Sequence, residues 1–252
     1  MISLTGKAAL ITGGSRGIGA ATVRMFAQAG ADVVFGYRQN REAASQVEQE
    51  ARKHGTRIES FKSDVGKMDG AKKLAQFAAE RLGRIDILIA NAAIYSTEGE
   101  PIQDLSEREW DEMVRVNLKS VYATTHFVVP HMIAQKSGRI VTISSGAAQR
   151  GSALRSHYSA TKGAIISFTR SLAIELAPHN ILVNCISPGF VHTDMSAGFL
   201  KTKQGLQFAT NLSPLKRIGK PEEIAGPILF AVSDLATFMT GQVINVNGGS
   251  LT

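Results

Sequence analysis

The chain has one cysteine, Cys185, in 252 residues. A single thiol excludes an internal disulfide framework and fits a reducing compartment, so a cytoplasmic location is expected. Nothing approaches the roughly 18 apolar residues needed to cross a bilayer. The longest candidate, 85–93, is broken by Asp86 and Asn91. The start, Met1-Ile2-Ser3-Leu4-Thr5-Gly6-Lys7, has no long apolar stretch behind a basic segment, so no targeting segment is expected. The six histidines show neither H-E-x-x-H nor Cys/His ligand spacing, so no metal is expected. The net charge is +7, yet no block of five or more basic residues occurs. Nucleic-acid binders concentrate their charge in a stripe. The surplus here suits a soluble surface, a phosphate-rich cofactor or an acidic protein partner. Neither a nucleic acid nor a membrane is an expected partner.

Apolar residues make up 44% of the chain and charged residues 19%. That is enough to bury a substantial core and too little charge for a disordered chain. Short apolar runs at 8–11, 33–35, 57–61, 85–89, 139–143, 181–186 and 242–246 read as strands. Helical stretches lie at about 17–29, 41–53, 69–82, 107–135 and 157–176, the last stopped by Pro178. Strands alternating with helices imply βαβ crossovers and a parallel sheet. Right-handed crossovers put helices on both faces. The expected fold is α/β: a single-domain Rossmann-type doubly wound sheet of seven parallel strands, with helices on both faces, over residues 1–252. No linker or repeat interrupts it. Segment 190–213 lacks a clean strand and carries Met195, Phe199, Leu200, Leu206 and Phe208, which makes it a candidate substrate lid.

Thr12-Gly13-Gly14-Ser15-Arg16-Gly17-Ile18-Gly19 stands between the first strand and the first helix. Glycines let a backbone turn tightly and approach a pyrophosphate, which rests on the helix N-terminus. The spacing is G-x-x-x-G-x-G rather than the G-x-G-x-x-G of other dinucleotide sites. NAD sites place an acid at the end of strand two to hold the ribose 2′-hydroxyl. Asp32 precedes that strand and so sits at its wrong end, while the correct end reads Gly36-Tyr37-Arg38. Arg38 and Arg16 are suited instead to a 2′-phosphate.

Tyr158 and Lys162 are four residues apart on an expected helix and share one face. A free tyrosine titrates near 10 and is a poor proton carrier at neutral pH. A nearby ammonium would stabilise its phenolate, so Tyr158 is expected to titrate well below a free phenol. Chance alone supplies about 0.2 such Tyr/Lys pairs in a chain of this composition, so the spacing is weak by itself. Ser144-Ser145 end the fifth strand, and a serine hydroxyl there could steady developing negative charge on a carbonyl oxygen. Asn117 is a polar residue amid apolar spacing, costly to bury without a partner. Cys185 reads as a small buried hydrophobe.

These motifs together resemble the short-chain dehydrogenase/reductase family over essentially the whole chain. The glycine turn matches its T-G-x-x-x-G-x-G fingerprint, and Ser145 falls 13 residues before Tyr158, the family's offset. The resemblance implies a catalytic set of Asn117, Ser145, Tyr158 and Lys162. It implies that hydride passes from NADPH to a carbonyl carbon. Tyr158 would protonate the oxygen, Ser145 orient it, and Lys162 hold the nicotinamide ribose. Asn117 would hold a relay water. Basic Arg16 and Arg38 mark NADP(H) in this family. Gly13, Ser15, Gly17, Ile18 and Gly19 would meet the pyrophosphate. Asp64-Val65 resembles the adenine-contacting pair, and Pro188-Gly189 with Thr193 the nicotinamide-side contacts. Ala90-Asn91-Ala92-Ala93 stands where the family has Asn-Asn-Ala-Gly, so Asn91 is carried over, and the backbone at Ala93 should avoid positive φ.

The ending 240–249, Thr-Gly-Gln-Val-Ile-Asn-Val-Asn-Gly-Gly, is similar to that of 3-oxoacyl-[acyl-carrier-protein] reductases. An acidic carrier would suit the basic surface. Lys136 matches one docking position of that group, but His179 stands where the second is usually Arg. The resemblance further implies a homotetramer, with helices 107–135 and 157–176 and the last strand at its interfaces. The alternatives are a ketoreductase or alcohol dehydrogenase for a free small carbonyl, steroid or polyol, and, from another class, a noncatalytic NADP-binding regulator.

Overall fold

The computed structural model describes residues 2–96 and 98–251. Seven strands form one all-parallel sheet: β1 (Ala8–Thr12), β2 (Asp32–Tyr37), β3 (Ile58–Lys62), β4 (Ile87–Ala90), β5 (Gly138–Ile143), β6 (Ile181–Pro188) and β7 (Val243–Val246). Their order is β3-β2-β1-β4-β5-β6-β7. The chain winds outward in one direction from β1 to β3, then in the other from β4 to β7. The reversal between β1 and β4 opens a crevice at the C-terminal strand ends, where such sheets bind ligands.

The sheet is apolar on both faces because helices cover both. Along β1, Ala9 and Ile11 join one core layer while Leu10 joins the other. Along β2, Val33 and Phe35 face the first and Val34 the second. This is the period-two alternation of a strand with two buried sides, which reads as a continuous apolar run. Helices α1 (Gly17–Gln28), α2 (Arg41–Arg52) and α3 (Met68–Leu82) follow the first three strands. Asn40 caps α2 through the Ala43 amide, and α3 stops at Gly83 in the left-handed region.

The expected helix over 107–135 is continuous but not regular. It comprises α4 (Glu107–Met113), a π-helical turn (Val114–Lys119) and α5 (Ser120–Gln135). Ser106 and Glu109 form a reciprocal capping box at its start. A π-helical turn widens the helix locally, and here it carries Asn117 inward to full burial. Helix α7 (Ser156–Leu176) follows the one-turn helix α6 (Ala147–Arg150). Cys185 is fully buried in β6, as its residue type suggests.

Segment 190–213 is helical where no element was expected: α8 (Asp194–Leu200) and α9 (Lys203–Leu212). Phe190, Phe199 and Phe208 pack ring on ring within it. Helix α10 (Pro221–Val232) was also not anticipated. Its start follows the rules for helix termini, with Pro221 in the first turn beside Glu222 and Glu223. Pro227 within it masks the apolar pattern, yet α10 packs on α1 and closes one face of the sheet. It supplies the crossover that a parallel β6–β7 pair requires.

Candidate active site

Two cavities open at the C-terminal ends of the strands. The larger, about 430 Å³, runs from the glycine turn past Arg38 and Asp64-Val65 to Asn91 and Thr193. The smaller, about 140 Å³, holds Ser145, Tyr158, Lys162, Pro188 and Gly189. They share a wall made of Ile18, Asn91, Ala93, Tyr95, Thr193 and Met195. Every residue expected to bind a cofactor or to act on a carbonyl therefore lines one of the two, with the exception of the buried Asn117.

The larger cleft fits a dinucleotide. Helix α1 begins without a side-chain cap and without an acidic residue in its first turn. Its first amides are left for another acceptor, and an anion is the natural one. Gly13, at φ +67, turns the chain so closely that a Cβ there would lie 3.0 Å from the Asn91 side chain and Ala92 backbone. A Cβ on Gly19 would sit 2.2 Å from the Gly13 carbonyl oxygen, so this turn excludes side chains. Ser15, Gly17 and Ile18 line the same stretch. Thr12, not singled out from the sequence, fixes the turn: its Oγ1 accepts from the Asn91 and Ala92 amides, both at 3.0 Å. Asn91 Nδ2 returns to the Thr12 and Gly13 carbonyls at 2.9 and 3.2 Å. Ala93 avoids positive φ, as its Cβ requires.

Asp32 lies at the N-terminal end of β2, where it accepts from the Arg57 amide, far from the ribose position. Arg38 and Arg16 stand at the cleft, each facing a carboxylate: Arg38 with Glu112 at 3.4 Å and Arg16 with Asp194 at 3.3 Å. Glu112 also receives two bonds from Arg115, which in turn grips Asp64. The Arg115 guanidinium holds the Glu112 carboxyl below the usual carboxylate range. Asp64 is thereby locked in the cleft wall, and an ion-pair chain ties it to Arg38.

In the smaller cavity, the two serines after β5 divide their work. Ser144 is buried and donates from Oγ to the Lys162 carbonyl at 2.8 Å, joining β5 to α7. Ser145 is turned to the cavity, and its Oγ accepts from the Ala147 amide at 3.2 Å. Tyr158 is buried and meets Tyr95 edge to face at 4.9 Å. Lys162 is 2% exposed. Its Nζ donates to the Ile143 carbonyl at 2.9 Å and lies 5.9 Å from the Tyr158 ring centre.

Burial decides the protonation of both. It pushes the Tyr158 hydroxyl up to about 12, with the Ser145 side chain pulling weakly the other way. It pulls the Lys162 ammonium down to about 8. The expectation that Tyr158 titrates below a free phenol is therefore not met in the chain alone. Desolvation of the phenolate outweighs an ammonium that is held by a backbone carbonyl. The Tyr158 phenol is accordingly stocked with its proton at neutral pH.

Asn117 is fully buried, and its amide is fully engaged. Its Oδ1 accepts from the Ile94 amide at 2.7 Å. Its Nδ2 donates to the Ile94 carbonyl at 3.0 Å and to Met113 Sδ. Its visible work is to pin the loop after β4, which carries Asn91, Ala93 and Tyr95.

Lys136 and His179 lie at the opposite, N-terminal end of the strands. Lys136 ends α5, and Asn180, next to His179, donates to its carbonyl at 3.2 Å just before β5 and β6 begin. Among the described residues no cluster of metal ligands occurs, and no helix is long and apolar enough to cross a membrane.

A nucleotide cradle on the first helix, joined to a cavity holding a half-buried serine and a buried tyrosine–lysine pair, defines a class. The chain belongs to the short-chain dehydrogenase/reductase family and is an oxidoreductase of that family. The family model described as "Enoyl-(Acyl carrier protein) reductase" matches residues 13–250. More particularly, the 3-oxoacyl-[acyl-carrier-protein] reductase FabG of Thermotoga maritima is 39% identical over 246 residues, 98% of each chain. A short chain dehydrogenase from Burkholderia cenocepacia, solved in complex with NADP, superimposes with a TM-score of 0.90 at 31% identity over 98% of each chain. A structure from Beutenbergia cavernae with bound NADP, assigned as an NAD(P)-dependent gluconate 5-dehydrogenase, gives 0.92 at 33% identity, again over 98% of each.

Proposed function

We propose that the chain reduces a ketone with NADPH and that its first substrate class is a 3-oxoacyl group carried on an acyl carrier protein. The observation that carries this reading is the shared wall between the nucleotide cleft and the Tyr158 cavity. A cofactor in the cleft, when bound, supplies hydride at that wall. Arg16 and Arg38 bind its 2′-phosphate, exchanging weak carboxylate partners for a doubly charged one. Gly13, Ser15, Gly17, Ile18 and Gly19 hold the pyrophosphate on α1, Asp64-Val65 the adenine, and Asn91, Pro188, Gly189 and Thr193 the nicotinamide side.

Ser145 and Tyr158 both point their hydroxyls at a carbonyl oxygen entering the cavity. Tyr158 gives that oxygen a proton, which burial has kept on it. Ser145 stabilises the developing charge. Lys162 orders the ribose side and balances the phenolate left behind. Asn117 acts by fixing the loop that forms the shared wall. Segment 190–213 closes over the substrate as a lid whose aromatic cluster excludes water. Exposed Tyr122, Ile174 and Phe238 leave apolar surface on α5, on α7 and just before β7, as a homotetramer built on those elements would.

The acyl assignment is supported by the names of the curated relatives and by the apolar lid. A free carbonyl substrate is the second reading. Lys136 and His179 lie at the N-terminal ends of β5 and β6, away from the Tyr158 cavity at the C-terminal ends, so they give no support to a carrier docked beside the cavity of the same subunit. The test follows NADPH oxidation with a 3-oxoacyl group on its carrier, the same group on a short carrier-free thioester, and a 2-enoyl group on the carrier. Fastest turnover of the first supports the acyl assignment. Equal rates for the first two favour the second reading. Preference for the enoyl group contradicts ketone reduction, and absence of any turnover leaves a noncatalytic regulator.

A further inference from the structure

We infer that Arg150 makes this cavity a site for anionic carbonyl compounds: free oxo acids whose carboxylate Arg150 holds while Tyr158 serves the carbonyl. The inference rests on the reductase reading and adds a substrate class that needs no carrier.

The cavity that contains Tyr158 is lined by two cations, Arg150 and Lys162, and by no Asp or Glu among the described residues. Most of the remaining lining is apolar, including Phe190, Val191 and Phe199. Lys162 is held by the Ile143 carbonyl deep in the site. Arg150 stands at the mouth and has no ion-pair partner among the described residues. Its guanidinium donates once, to the Gly151 carbonyl at 3.1 Å. Five donors in a fixed fork leave ample capacity for a bidentate carboxylate. The side chain is exposed overall, yet the cavity wall desolvates it enough to pull its pKa down, and its field reaches Tyr95, which packs on Tyr158.

Arg150 is also built into the same unit as Ser145. Ser145 receives the Ala147 amide on its hydroxyl and the Ala148 amide on its carbonyl, starting α6. The Arg150 amide bonds back to the Gly146 carbonyl. Ser145 stands just before this single turn and Arg150 ends it, and both side chains line the one cavity, an arrangement suited to a small molecule with two polar groups a few bonds apart. Arg155, the other arginine near Tyr95, is engaged by the Ser96 carbonyl and by the rings of Tyr95 and Phe199.

The chemistry balances without further reagents. The carbonyl carbon gains a hydride from the dihydronicotinamide, whose C–H bond breaks. The carbonyl π pair moves to oxygen, which takes the Tyr158 proton. The oxo acid is reduced to a hydroxy acid and the nicotinamide is oxidised. Tyr158 regains a proton from solvent, and the carboxylate stays ionised throughout.

The experiment compares acetoacetate with its neutral ethyl ester, each reduced with NADPH by the wild-type protein and by Arg150→Gln. The wild type should favour the acid in kcat/KM by roughly tenfold or more, the scale of a charge-assisted contact. Arg150→Gln should raise KM for the acid at least ten times more than for the ester, with Arg150→Lys recovering part of the loss. Butyrate, an unreactive acid, should compete with the ester in the wild type and lose that ability in Arg150→Gln. Ester preference in the wild type, or equal losses on both substrates, would overturn the inference while the reductase reading stands. Failure to reduce either substrate would count against both.

Discussion

The nucleotide cleft and the substrate cavity both present arginine, and they treat it differently. In the cleft, Arg16 and Arg38 already face Asp194 and Glu112. At the cavity mouth, Arg150 is exposed and faces no carboxylate among the described residues. Exposed pairs of this kind are worth about 0–1 kcal/mol, so they orient a guanidinium without competing seriously with a phosphate. An exposed arginine with no carboxylate partner keeps its donors free for a ligand. The cleft is thus pre-set for a fixed partner, and the cavity is left open to select one.

The largest effect expected from breaking this contrast is at Arg38. Arg38→Leu should raise KM for NADPH roughly 10–100-fold, the scale of a lost charge-assisted contact. NADH should be affected much less, so the ratio of the two specificity constants is the measurement. A parallel loss on both cofactors would mean that Arg38 supports the fold rather than the 2′-phosphate.

A second expectation concerns the cavity's own charge. Lys162 is lowered from 10.5 to about 8, so its ammonium is present below that pH and lost above it. Tyr158, raised to about 12, keeps its proton across the same range. Reduction should therefore be level from about pH 6 to 7.5 and fall several-fold by about pH 9. A kcat/KM profile flat to pH 9.5 would show that the Lys162 charge is not needed. The smallest effect belongs to Asp194. Asp194→Asn frees Arg16 from an exposed partner and should lower KM for NADPH by about two- to fivefold. A rise instead would make the pair a positioning contact.

The two regions also differed in how far the sequence revealed them. The cleft is built from backbone geometry, and Gly13, Gly17 and Gly19 declare such geometry in their spacing. Arg38 and Asp32 were readable because position along a strand decides which end of the sheet a residue meets. The cavity depends on tertiary contacts that leave no local mark. The inward turn of Asn117 comes from a π-helical turn within a stretch that reads as one helix. Helix α10 was hidden by Pro227, and α8 and α9 by an apolar pattern broken at Gly198 and Gly205. Arg150 carried no motif, and only the convergence of α6 with Phe190 and Phe199 placed it in the cavity. Tyr158 showed the limit most clearly. Its lysine neighbour was legible, but the burial that reverses the direction of its titration was not.

The most direct test of the account is Tyr158→Phe, with NADPH binding and steady-state reduction measured on the same preparation. Because the phenol hydroxyl is assigned proton donation, NADPH should bind within a factor of about three of the wild type. Turnover should fall by roughly 10²–10⁴, the contribution of a general acid. Turnover within about tenfold of the wild type, with binding intact, would contradict the assignment of Tyr158.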